Sequence, residues 1–141
     1  MRLFSRQALT GVIACVMLAS GAQAQNFTTA AEVKPILTAT KPSWIAVREY
    51  DGQDLLYFTN LLSWRCGVAQ VSYAVNDAAL TPLEFEPCHE DTAQPNALMM
   101  ETILPYLTFP LASIETVSVT VTYDDDTTDT AAYDRKAVLM P

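Results

Sequence analysis

The chain has one histidine, four glycines and three cysteines in 141 residues, and its 8 basic side chains face 16 acidic ones. Each shortage excludes something. One imidazole and three thiols are thin material for a zinc site, which takes three or four nitrogen and sulfur ligands. Four glycines leave no loop of the Gly-rich kind that cradles phosphate. A formal charge of −8 argues against a grip on nucleic acid, whose phosphates call for clustered Lys and Arg. The sequence has no Cys-x-x-Cys, the close pair that a thiol redox catalyst uses. No period of about 20–50 residues recurs, which excludes a solenoid. What is present is apolar. Half the chain is hydrophobic, too much for a disordered polyampholyte, and the length suits one domain.

Residues 1–24 read as an export address. Arg2 and Arg6 precede an apolar run over residues 8–19, and Ala22 and Ala24 are small at the spacing a signal peptidase reads. Cleavage is expected between Ala24 and Gln25, leaving residues 25–141 as one domain in the periplasm or outside the cell. The apolar run is too short for a membrane span. As a helix it covers about 18 Å, against about 30 Å of hydrocarbon. Val12-Ile13-Ala14 before Cys15 loosely matches the box that precedes a lipidated cysteine. The run continues past Cys15 through Leu18, however, so no lipid anchor is expected there. Removing the leader takes away two Arg and Cys15. The remainder carries 6 basic and 16 acidic residues, a net charge of −10. Its two cysteines, Cys66 and Cys88, read as one disulfide.

Thr29 and Glu32 fit a capping box, and Val33, Ile36 and Leu37 follow at helical spacing. A short helix is expected over residues 30–39, ended by Lys41-Pro42. Residues 44–50 and 55–59 are rich in aromatic and β-branched side chains and flank Asp51-Gly52, a hairpin signal. A two-residue turn would set Glu49 opposite Asp54, which is unfavourable, so a loop of three or four residues is expected. A second hairpin is expected from residues 68–75 and 80–86. The midpoint of the two cysteines is Asp77, inside its turn. Antiparallel pairing then sets Cys66 opposite Cys88, within reach of a bridge. In that register Val71 faces Leu83 and Ala69 faces Phe85, while Gln70 faces Glu84 and Ser72 faces Pro82. Chain-entropy arithmetic gives the bridge about 3.4 kcal/mol.

Residues 114–123 alternate strictly, with Val117, Val119, Val121 and Tyr123 on one face. After the acidic turn the chain is expected to return as a strand from Asp129 to about Val138, with Ala131 and Tyr133 inward. Residues 87–113, punctuated by four prolines, read as a long packed connection with one or two helical turns in 96–104. The fold class is therefore α+β, mainly β. A short N-terminal helix leads three consecutive antiparallel hairpins, forming one sheet, a small sandwich or an open barrel, with one disulfide.

Candidate chemistry is sparse. His89 stands beside Glu90 and Asp91 and offers a general base or metal ligand. No Gly-x-Ser-x-Gly accompanies Ser63 or Ser113, so a solvated loop histidine is expected. Asp124 and Asp126 could collect calcium oxygens, but they lack the spaced loop pattern and read as a turn. Leu61, Leu62, Trp64 and Arg65 join the first two hairpins. Either Leu61, Leu62 and Trp64 close one end of the core or, with Trp64 exposed, the loop forms an interaction surface. The function expected is a non-enzymatic binding module of the envelope, without a cofactor, drawn by charge to a cationic envelope protein. The alternatives are a small periplasmic hydrolase or metal-dependent enzyme using His89, or a structural envelope component. In composition alone the chain resembles small acidic periplasmic inhibitors of lysozyme, and it carries none of their motifs.

Overall fold

The computed structural model describes residues 25–141, so the expected leader with its expected cleavage point, and Cys15, lie outside the described residues. Helix α1, Ala30–Ala39, forms where the capping box predicts it. The Glu32 carboxylate accepts the Thr28 and Thr29 N–H groups at 3.0 and 3.1 Å. Asp124, distant in sequence, takes the Ala30 N–H at 2.9 Å. Both occupy donors that a helix start cannot pair internally. Ala30, Val33 and Leu37 are buried. The helix rests on Gly67, where a Cβ would come within 2.5 Å of Val33 Cγ2 and 2.6 Å of the Thr29 carbonyl. Only glycine admits that approach. A 3-10 turn over Lys41–Ser43 then turns Trp44 inward, and its indole N–H donates to the Leu37 carbonyl at 2.8 Å.

Strands β1, Ala46–Tyr50, and β2, Gln53–Tyr57, make the first hairpin. Asp51 and Gly52 take φ of 50° and 71°, the backbone of a two-residue type I′ turn. This corrects the longer loop expected from charge, since Glu49 does stand opposite Asp54. The repulsion is relieved by Arg135, whose guanidinium donates to Glu49 at 2.7 Å and to Asp54 at 2.6 Å. A single helical turn, α2 (Thr59–Leu62), follows.

Strand β3, Val68–Val75, keeps the register read from the cysteines. Ser72 faces Pro82 on β4, Thr81–Pro82. Cys66 and Cys88 are bonded, with Cα atoms 4.9 Å apart. The β3–β4 ladder is nevertheless short. Beyond the Leu83 N–H bond to Val71, at 2.8 Å, the expected Gln70–Glu84 and Ala69–Phe85 pairs fall outside it. The chain leaves the sheet there because Glu86 turns into the interior.

The supposed connection contains a strand, β5 (Tyr106–Pro110), which pairs antiparallel with β2. It holds no helix over residues 96–104. The groups a helix would use are committed elsewhere: Glu86 takes the Met99 and Met100 N–H groups, and Arg65 takes the Asn96 and Ala97 carbonyls. Strand β6, Thr116–Tyr123, pairs with β3 over most of its length, Val71 facing Val121. Strand β7, Thr128–Asp134, completes the last hairpin. It stops before the expected end, because Arg135–Val138 form a helical turn, α3. Tyr133 is buried and Ala131 packs against the core.

The class is thus α+β, mainly β, with two antiparallel sheets ordered β1-β2-β5 and β4-β3-β6-β7. Of the arrangements left open, one sheet is excluded: two sheets share one core, and the hairpins are not all consecutive, since β5 pairs with β2. That core joins Val33 and Leu37 of α1 to Trp44, Val47, Leu56, Val71, Ile114 and Val119. No helix among the described residues is long and apolar enough to cross a membrane.

Candidate functional site

The segment suggested as an interaction surface lies mostly inside. Leu61 and Leu62 are buried on α2, and Trp64 is half-buried, edge-on to Phe27 at 5.1 Å between ring centroids. Arg65 is 1% exposed. Its guanidinium donates to the carbonyls of Leu62, Glu86, Pro87, Asn96 and Ala97 at 2.6 to 3.2 Å. A planar fork of five N–H donors suits such a set of acceptors, whereas an ammonium has only three. Burial pulls the Arg65 pKa down, and the Glu86 charge pushes against that shift. Leu61, Leu62 and Arg65 therefore present no surface to a partner, and the interaction reading of this loop is replaced by a structural one.

Glu86 is the second buried charge. Its carboxylate receives the His89 ring at 2.6 Å, the Met99 N–H at 2.8 Å and the Met100 N–H at 3.2 Å, with Arg65 Nη2 at 3.9 Å. Burial alone would raise its pKa. The Met99, His89 and Met100 hydrogen bonds, with the Arg65 charge, hold it below the ordinary value. Asn96 ties the same region to the disulfide strand. Its Oδ1 accepts the Cys66 N–H at 2.9 Å, and its Nδ2 donates to the Phe27 carbonyl at 2.9 Å. Nothing in the alternation of residues 80–86 marks Glu86 as inward, and nothing local marks Asn96 or Met99.

His89 is held by Glu86 and is half-buried, not a freely solvated loop side chain. Neither serine considered beside it hydrogen-bonds to it among the described residues. The Ser63 hydroxyl donates to Thr59 at 2.7 Å, and Ser113 bonds Pro110 through its backbone. Among the described residues no group of three or more His, Cys, Asp or Glu gathers as a metal cage.

The acidic turn is consumed by the fold. Asp124 caps α1. Asp125 pairs with Lys34, which holds its carboxyl down at about 2, and also accepts the Thr127 hydroxyl. Asp126 takes φ of 64° in the turn, a backbone that Asp tolerates. Asp129 pairs with Lys41.

Two surface grooves bear on binding. One, of about 380 Å³, is lined by Trp44, Ile45, Tyr57, Met140 and the cationic Arg48. The other, of about 480 Å³, opens between the edge of β3–β4 and that of β5. Tyr73, Pro82 and Leu83 form one wall, and Ile103, Leu104, Tyr106 and Leu107 the other, with Glu84 as the charged side chain of the lining. Set against protein-family models, curated proteins and solved structures, the chain matches none of them.

Proposed function

We propose that the chain is a non-enzymatic binding module, exported to the periplasm or beyond, that docks a cationic partner. One observation supports this above the rest: four of the six basic side chains among the described residues are spent internally. Lys34 and Lys41 pair with Asp125 and Asp129, Arg135 pairs with Glu49 and Asp54, and Arg65 is enclosed by carbonyls. Arg48, stacked over the Tyr50 ring, and Lys136 are left to the surface. Glu84, Glu90, Asp91 and Glu101 are exposed and make no ion pair among the described residues. A surface with this excess of negative charge attracts opposite charge and speeds encounter.

The 480 Å³ groove is the favoured seat, because Glu84 borders it beside Leu83, Leu104 and Tyr106. A segment that alternates basic and apolar side chains meets both demands. Calorimetric titration with an amphipathic Lys-Leu peptide, and with its Glu-Leu counterpart, tests the reading. Only the basic peptide should bind, and its affinity should fall about tenfold between about 50 and about 200 mM salt. Glu84→Gln with Glu101→Gln should weaken it about 3- to 10-fold. Equal binding of both peptides, or binding indifferent to salt, overturns the proposal.

A further inference from the structure

We propose that His89 and Met99 form a binding site for a soft univalent cation of the Cu(I) class. One buried carboxylate places both ligands. Glu86 Oε1 meets His89 Nε2 at 2.6 Å and the Met99 N–H at 2.8 Å, so the imidazole and the backbone bearing the thioether are fixed on the same oxygen. Glu86 is 6% exposed and cannot swing away from either.

The hydrogen bond also sets the chemistry of the ring. Glu86 occupies Nε2, so Nδ1 is the ring nitrogen that this contact leaves over. Nδ1 makes no hydrogen bond among the described residues. A carboxylate behind one ring nitrogen is the usual support for a histidine whose other nitrogen holds a metal. His89 and Met99 line the same cavity, of about 350 Å³, with Thr92, Gln94 and Ala97. Met99 is 57% exposed.

The donor pair selects the ion. Thioether sulfur is a poor ligand for calcium, magnesium or zinc and a good one for Cu(I), while imidazole suits copper in either state. The nearest carboxylate, Glu86, is saturated by its own donors. This site is independent of the docking groove and of the charge argument above.

The test is an anaerobic titration with tetrakis(acetonitrile)copper(I), followed by NMR of the methionine methyls and the His89 ring. The full chain is used with Cys15→Ser, which removes the thiol outside the disulfide. The Met99 methyl and the His89 ring should shift together and saturate at one ion per chain, with Met100 and Met140 unmoved. Met99→Leu, at an exposed position, should fold normally and lose affinity by at least about tenfold. Zinc should leave the Met99 methyl unchanged. Unaltered affinity in Met99→Leu, saturation at another methionine, or an equal response to zinc overturns the site.

Discussion

Arg65 and Arg135 both hold distant segments together, and they do so by opposite means. Arg65 is sealed inside on neutral carbonyl dipoles, with its one carboxylate partner at 3.9 Å. Arg135 sits at the margin on two carboxylates, Glu49 and Asp54, within 2.7 Å. Carbonyls ask for the shape of the fork, and carboxylates ask for its charge. The first site should therefore be intolerant of any change of geometry, and the second should respond to pH.

Substitutions separate the two. Arg65→Lys keeps the charge and loses the fork, stranding several buried carbonyls. A loss of about 3–5 kcal/mol is expected in urea unfolding. A loss below about 1 kcal/mol would show that charge, not shape, is what the site needs. Removing the bridge by Cys66→Ser with Cys88→Ser should cost about 3 kcal/mol. Because the disulfide and Arg65 anchor the same arm, the combined variant should lose less than the sum. Full additivity would show that the two anchors act on different segments.

Arg135→Gln should cost about 2–3 kcal/mol, since it leaves Asp54 buried beside Glu49. Glu49→Gln in that background should recover part of the loss. The same site sets the acid response. The Arg135 hydrogen bond holds the Asp54 carboxyl at about 2 against an ordinary 3.8. A depressed folded-state pKa stabilises above the ordinary value and is lost as pH falls from about 4 towards about 2. Melting temperature should drop across that window, and Asp54→Asn should flatten the drop. The smallest effect is reserved for Tyr123. Its buried hydroxyl has no hydrogen-bond partner among the described residues, and burial lifts its pKa to about 12. Tyr123→Phe should change stability by less than about 0.5 kcal/mol, or raise it. A loss above about 1 kcal/mol would mean that the hydroxyl has a partner in solution.

The legible parts of the fold were those governed by near neighbours or by one arithmetic rule. Helix α1 followed from Thr29, Glu32 and the Val33–Leu37 spacing. Antiparallel pairing keeps the sum of partner numbers constant, so Cys66–Cys88 and Ser72–Pro82 came from the same midpoint. What stayed hidden depended on remote partners. Glu49 opposite Asp54 looks forbidden until Arg135 arrives, 81 positions beyond Asp54. Strand β5 pairs with β2 across half the domain, and Pro105 and Pro110 disguise it. Arg65 looked like surface because its acceptors are backbone atoms of residues 86–97, which no side-chain pattern records. The acidic residues 124–126 do form the turn that was read, but the helix start that Asp124 serves, 94 positions away, was not legible.

The first hairpin carries a consequence for the order in which the chain matures. Its strands are adjacent in sequence, so it should be among the earliest pairings to form. Its facing carboxylates, however, are reconciled only by Arg135, and its outer edge is met only when the Met140 N–H reaches the Val47 carbonyl at 2.7 Å. A chain delivered from its N-terminus therefore carries an unfinished hairpin until its last stretch emerges. Locking of this hairpin waits until Arg135 and Met140 are in place.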